Sequence, residues 1–82
     1  MLTDYIRAAM HRAKYEILPE DGVFYGEIPE CQGVWVTGDT LEGCRDELQE
    51  VLEDWILVRL TDGLSLPIIE GINLNLKKVP AE

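Results

Sequence analysis

The feature that most constrains the fold is a strand, a glycine break and a long helix that follow one another without interruption. Within residues 33–38, two valines alternate with Trp35 and a threonine, the period-two pattern of a β-strand. Gly38 ends this strand. Asp39 and Thr40 can each cap the helix that follows, because a short side-chain oxygen accepts an unpaired N–H of the first turn.

We predict that this helix runs from residue 41 to about residue 60. Its apolar residues recur at steps of three and four, which places them on one face of the helix. They are Leu41, Cys44, Leu48, Val51, Leu52, Trp55 and Val58. This face is expected to lie on a sheet formed by the strands that precede it.

The remaining elements follow from the same kinds of pattern. The chain has 82 residues, a length that fits one domain over residues 1–82. The order of its predicted elements indicates an α+β fold. We expect an N-terminal helix, a three-stranded antiparallel β-meander, a long helix packed on the sheet and a returning final strand. The predicted ranges are 1–13 for the first helix, 14–18, 23–28 and 33–38 for the meander, and 72–77 for the final strand, with the β-β-β-α-β core over 14–78.

The charge balance indicates what kind of partner the chain can take. Seven basic residues against sixteen acidic ones give a net charge of −9. Seven of the acids lie within residues 39–54, where Arg45 is the single basic residue. Nucleic acid is therefore not expected as a direct ligand, because phosphates require clustered Lys and Arg. A basic protein is the partner that such a surface would attract.

Other classes are disfavoured by composition. No apolar run approaches the length of about 20 residues that a membrane span needs, and the N-terminus lacks the order of a signal peptide. Cys31 and Cys44 are too few for a disulfide framework, which favours a cytoplasmic protein. We expect Cys44 in the core and Cys31 exposed in a turn. With His11 as the single histidine and no CxxC motif, neither a metal nor another cofactor is expected.

Four acids on the long helix are the candidate partner-binding residues. They stand four residues apart and form what we call the acidic stripe: Glu42, Asp46, Glu50 and Asp54. Like charges at this spacing repel by about 0.2–0.5 kcal/mol for each pair, which a domain of ordinary stability tolerates. The stripe is therefore either a solvated helix face or a contact for a basic partner.

Two further sets of residues invite a functional interpretation. Glu16 and Glu27, taken with the helix acids, invite comparison with enzymes whose carboxylates hold two divalent metals. They alternate with apolar residues and are expected to point away from the helix, so we predict no catalytic metal site. Trp35 and Trp55 are assigned to core or dimer contacts in preference to ligand-stacking platforms.

A set of short motifs is distributed over most of the chain, and its order and spacing resemble the HicB antitoxin family. The residues concerned are Tyr15, Asp21-Gly22, Ile28-Pro29-Glu30, Gly33-Val34, Gly38-Asp39-Thr40, Glu42, Gly63 and Leu66-Pro67. Two departures stand out. Gly43 and Cys44 occupy positions where the family usually has Glu and Ala, and because the sequence ends at Glu82 we expect no DNA-binding domain of the kind that many members carry. The N-terminal helix also lies outside the family pattern.

The resemblance implies a partial RNase H-like sheet and a non-enzymatic function. Members neutralise HicA toxins, which are small basic ribonucleases, and here the expected mechanism is occlusion of the toxin's RNA-binding face. Two alternatives stay open: a metal-dependent nuclease descended from the same fold, and an orphan module that only dimerises. A homodimer or larger assembly is expected in each case, because a core this short and a meander with open edges favour association.

Overall fold

The structure is a computed structural model that describes residues 1–75. It is an α+β domain in which a helix precedes a three-stranded antiparallel sheet and a long helix packs on that sheet, as predicted. The elements in chain order are α1 (Leu2–His11), β1 (Lys14–Leu18), β2 (Val23–Glu27), β3 (Trp35–Gly38) and α2 (Leu41–Thr61).

The strands form a meander with the order β1-β2-β3. The first turn closes through a hydrogen bond from the Gly22 N–H to the Leu18 carbonyl at 2.8 Å, and Gly22 takes a φ of +67°. This positive φ is available to glycine without the steric cost that a Cβ would add. In the second turn the Cys31 N–H donates to the Ile28 carbonyl at 2.9 Å, which folds the loop back towards the core.

Helix α2 begins and ends with well-defined caps. Of the two candidate N-caps, Thr40 is the one used, since its hydroxyl accepts a hydrogen bond from the Gly43 N–H at 2.9 Å. At the other end Gly63 has a φ of +71°, and the Leu64 N–H donates to the Arg59 carbonyl at 2.8 Å. This arrangement satisfies a carbonyl that the last turn would otherwise leave unpaired.

The buried face of α2 agrees with the prediction in its centre and differs from it at both ends. Its fully buried residues follow steps of four: Cys44, Leu48, Leu52 and Ile56. Each step of four turns about 40° round the helix, so the buried face rotates steadily along α2. Leu41 and Val58, both predicted to be buried, are left on the flanks with exposures of 43% and 55%. Ile56, which the prediction omitted, lies in the core with 3% exposure.

Two glycines allow α2 to lie close to the sheet. A Cβ added at Gly38 would lie 2.9 Å from the backbone nitrogen of Cys44. A Cβ added at Gly26 would lie 2.9 Å from the Tyr15 ring and 3.1 Å from the Cys44 sulfur. The absence of a side chain at Gly26 and Gly38 therefore allows the short distance between α2 and the sheet.

Helix α1 packs against α2, and it ends at His11 rather than at residue 13. Its buried residues are Tyr5, Ala8, Ala9 and Met10. Beyond its last turn, the Arg12 guanidinium lies 3.6 Å from a carboxylate oxygen of Glu30 and 3.7 Å from one of Glu70. These contacts link the end of α1 to the β2–β3 turn and to the segment after α2.

The predicted final strand over residues 72–77 is wrong for the part that the structure describes. Residues 72–75 do not join the three-stranded sheet, and residues 76 and 77 lie outside the described range. Ile72 instead forms an isolated bridge with Ile69 across a tight turn, in which Glu70 and Gly71 both have positive φ values of 49° and 78°. Positive φ at both central residues is typical of a type I′ turn, which reverses the chain.

Candidate partner-binding surfaces

The structure places the acidic stripe on the solvent side of α2. Glu42, Asp46, Glu50 and Asp54 are all exposed, and they lie on the side of the helix away from its buried residues. Successive members are separated by about 6 Å along the helix axis, so the stripe extends over roughly 18 Å. Glu47 and Glu53 are also exposed on the same helix. The helix thus presents a long anionic surface.

The charge of this surface is not neutralised within the part of the chain that the structure describes. In residues 1–75 the ion pairs join Asp4 to the Met1 amino group and to Arg7, and Arg12 to Glu30 and Glu70. No stripe residue takes part in them. The negative field of the stripe is therefore available to attract a cationic surface from solution.

A second surface, which the sequence did not single out, is the sheet face that α2 does not cover. The strand register places alternate residues on this open face, because successive side chains of a strand point to opposite sides. We define the open face by these residues: Lys14, Glu16, Leu18, Val23, Tyr25, Glu27, Trp35 and Thr37. The alternation in the sequence would have been the signal for it.

Two aromatic rings stack on the open face. The ring centroids of Tyr25 and Trp35 are 6.1 Å apart with an angle of 24° between the planes. Trp35 is 56% exposed, so it is not a core residue, and the other half of its assignment, a dimer contact, stays a prediction. It follows the buried Val34 and precedes the buried Val36, and the strand period turns it to the other side. Trp55 is half-buried, with the Arg59 guanidinium 5.0 Å above its ring centroid.

Carboxylates border the aromatic pair. The Tyr25 hydroxyl donates a hydrogen bond to Oε1 of Glu27 at 3.1 Å, and Glu16 lies directly opposite Tyr25 in the register. Desolvation, followed by the hydrogen bond to Glu27 and the negative charges of Glu27 and Glu16, raises the pKa of the Tyr25 hydroxyl. A depression of about 300 Å³ beside the pair is lined by Lys14, Tyr15, Glu16, Tyr25 and Glu27.

Positive charge is gathered in a different place, between α1 and α2. A groove of about 210 Å³ is lined by Thr3, Ile6, Arg7, Met10, His11, Arg45 and Gln49. Among residues 1–75 no acidic side chain lines this groove. The cationic groove and the acidic stripe therefore lie on neighbouring sides of the same helix, which gives α2 a marked charge asymmetry.

The carboxylates considered for metal binding are not brought together with the helix acids. Glu16 and Glu27 lie on the open face of the sheet, whereas the acidic stripe lies on the far side of α2. Among residues 1–75 there is no group of three or more His, Cys, Asp or Glu residues that could hold a metal ion. The described residues thus do not provide the converging oxygen ligands that a two-metal site requires.

Both cysteines are buried, which contradicts the expectation that Cys31 is exposed. Cys31 is 1% exposed because the β2–β3 turn folds it inward, and burial, followed by the negative charge of Glu30, raises the pKa of its thiol to about 11. Cys44 is fully buried, as predicted, and burial raises its pKa as well. Thiols that stay protonated and buried are poor nucleophiles, so neither marks a reactive site.

In residues 1–75 no helix combines the length and the apolar character needed to cross a membrane.

Comparisons with known proteins identify relatives of the whole arrangement. A family model described as UPF0150-like matches residues 4–67, a range that includes most of α1. The helix that the HicB resemblance left outside the family pattern is thus part of this match. The crystal structure of TTHA0281 from Thermus thermophilus is similar to this chain at 42% sequence identity, with a TM-score of 0.86. The similarity covers 94% of this chain and 95% of that one. No curated protein matches the chain significantly.

Proposed function

The chain belongs to the UPF0150-like family, a small family related to toxin–antitoxin proteins, and from this premise we propose that it is an antitoxin-like binding module. Its partner is a small basic ribonuclease of the HicA type. The module covers the RNA-binding face of that ribonuclease and thereby denies it RNA, without catalysis of its own. The HicB-like motifs of the sequence and the charge of α2 both support this function.

The observation that carries the proposal is the acidic stripe. An RNA-binding face is rich in Lys and Arg, because it must neutralise phosphates. The stripe offers four carboxylates at intervals of about 6 Å, a row of negative charge that a face rich in Lys and Arg can contact. All four stripe residues are exposed and unpaired within the described residues. A solvated helix face would carry the same charge. The test must therefore separate the position of the negative charges from their number.

The test compares two variants with equal loss of charge. Asp46→Asn/Glu50→Gln removes two charges from the stripe, and Glu20→Gln/Asp21→Asn removes two from the exposed β1–β2 turn. Association with a HicA-type toxin is followed by stopped-flow fluorescence at low and high salt. The stripe variant is expected to associate about 3- to 10-fold more slowly at low salt and with a weaker salt dependence.

Three results would count against the proposal. Equal slowing by both variants would mean that net charge alone steers association, and the stripe would be a solvated face. Failure of the unmodified chain to bind the toxin or to inhibit its cleavage of RNA would overturn the antitoxin function. Cleavage of RNA by the chain itself in Mg²⁺ or Mn²⁺ would favour the nuclease alternative.

A further inference from the structure

The open face of the sheet carries an aromatic surface that residues 1–75 leave largely exposed. Trp35 remains 56% exposed although it is one of the largest apolar side chains of the domain. Its indole is held in place by stacking on Tyr25, with the ring centroids 6.1 Å apart. An aromatic side chain with a fixed orientation binds a ligand at a lower entropic cost than a mobile one.

The groups around the stack are those that recognise a cation. Glu27 is fixed beside Tyr25 by the 3.1 Å hydrogen bond from the tyrosine hydroxyl, which uses one carboxylate oxygen. The register places Glu16 directly across from Tyr25 on β1. The faces of aromatic rings attract cations through the ring quadrupole. A guanidinium can in addition donate two parallel N–H···O hydrogen bonds to a carboxylate.

The shape and charge of the surface narrow the choice of ligand. The depression of about 300 Å³ is large enough for the end of one long side chain, and two carboxylates against the single Lys14 give its lining a net negative charge. Aromatic platforms also stack on nucleic-acid bases, but they do so within positively charged grooves. The carboxylates therefore favour a basic protein over a nucleic acid on this face.

We propose that the open face is a docking site for an arginine side chain of the partner protein. The guanidinium occupies the depression against the ring of Tyr25, which stacks on Trp35, and it donates hydrogen bonds to Glu27 and Glu16. This assignment rests on the proposed function for the identity of the partner, a basic toxin, and it adds the place and the chemical group of the contact. The open face lies on the side of the sheet away from α2, so this contact is separate from any contact at the acidic stripe.

Lys14 provides an internal criterion for this site. It lies directly opposite Glu27 in the register, and in residues 1–75 it forms none of the ion pairs. A positive charge at the rim repels an incoming guanidinium. Replacing Lys14 with a neutral residue is therefore expected to strengthen binding of the partner. If Lys14 had only a structural role, the replacement would not strengthen binding.

The experiment measures toxin affinity for three variants of the full chain by isothermal titration calorimetry. Trp35→Val keeps a strand-forming residue and removes the ring, and Glu27→Gln keeps an acceptor for Tyr25 and removes the charge. Each is expected to weaken binding about 5- to 30-fold, and Lys14→Gln to strengthen it about 2- to 5-fold. Glu20→Gln, a charge change on the turn, is the control and is expected to leave the affinity within about 2-fold. Thermal melting confirms that each variant is folded.

A second measurement separates this inference from the proposed function. A short peptide with one arginine, and the same peptide with neutral citrulline in its place, are titrated against the chain while the indole N–H resonance of Trp35 is followed by NMR. The arginine peptide is expected to shift this resonance, the citrulline peptide much less, and Glu27→Gln is expected to reduce the shift.

If the toxin binds but Trp35→Val and Glu27→Gln do not weaken its binding, the docking site is wrong while the antitoxin function stands. If the toxin does not bind but the arginine peptide does, the cation site stands and the antitoxin function falls. If neither binds, both are wrong.

Discussion

The hydroxyl of Tyr5 donates a hydrogen bond to the backbone carbonyl of Pro67 at 2.6 Å. Tyr5 is fully buried in α1, and Pro67 lies in the segment after α2, 62 positions away in sequence. The contact joins the two ends of the described chain across the core. It also gives the Pro67 carbonyl a hydrogen-bond donor in a segment that belongs to no helix or strand. This matters because a buried polar group without a partner lowers stability.

The first prediction concerns this contact. Tyr5→Phe keeps the ring in the core and removes the hydroxyl, which leaves the Pro67 carbonyl without this donor. We expect the free energy of unfolding to fall by about 1–2 kcal/mol, as measured by urea denaturation. Tyr25→Phe is the matched control, because its hydroxyl bonds the half-buried carboxylate of Glu27 on the open face, and it is expected to cost less than about 0.5 kcal/mol. Equal effects of the two variants would contradict the role of the Tyr5 contact.

The second prediction concerns the two glycines under α2. Gly38→Ala places a Cβ 2.9 Å from backbone atoms of Cys44, which cannot move without displacing the helix. Gly26→Ala meets the Tyr15 ring and the Cys44 sulfur, and side chains can adjust. Overpacking of this kind costs about 1–3 kcal/mol, and we expect Gly38→Ala to be the more destabilising of the two. Thermal melting of both variants checks the order, and a larger loss for Gly26→Ala would contradict it.

Local patterns were sufficient to predict the two helices and the three strands of the meander. The alternation before Gly38 and the steps of three and four after it specify a strand and a helix within a window of a few residues. The ends of the helical face were less predictable, because Leu41 and Val58 fit the period but the buried face rotates by about 40° with each step of four. Trp35 shows a different limit: the alternation that buries Val34 and Val36 turns Trp35 to the open face, which excludes the core and leaves the predicted dimer contact as a prediction.

Contacts between distant parts of the chain could not be predicted from local patterns. The alternation at the end of the chain indicated a strand, but the side chain of Asn75 pairs with both backbone groups of Leu66, at 2.6 Å and 3.0 Å. Such a side-chain contact leaves no periodic trace in the sequence. The candidate site behaves in the same way: the acidic stripe was visible as a spacing on one helix, whereas the open face depends on the register of three strands.

The third prediction concerns assembly. We expect a homodimer or larger at tens of micromolar, because the sheet of residues 1–75 has open edges at β1 and β3 and because Leu57 and Val58 are exposed side by side on α2. The net charge of −9 opposes association, so the average mass from light scattering should rise as salt increases from about 20 mM to about 300 mM. Leu57→Gln is expected to raise the monomer fraction, and Ile68→Gln, of similar exposure, serves as the control. A monomer under all these conditions would rule out self-assembly.

The last prediction concerns stability at alkaline pH. Burial raises the pKa of the Cys31 thiol from 9.0 to about 11, and burial, followed by the negative charge of Cys31, raises that of the Tyr5 hydroxyl from 10.0 to about 12. Above each lower value the unfolded chain loses a proton that the folded chain keeps, so the free energy of unfolding falls as pH rises. The fall covers pH 9.0 to about 11 for Cys31 and pH 10.0 to about 12 for Tyr5. Each group contributes at most about 1.4 kcal/mol per pH unit.

Urea denaturation from about pH 8 to about pH 12 measures the slope of the free energy of unfolding against pH. Cys31→Ala is expected to flatten its lower part and Tyr5→Phe its upper part, whereas an unchanged slope in the double variant would assign the pH dependence to other groups.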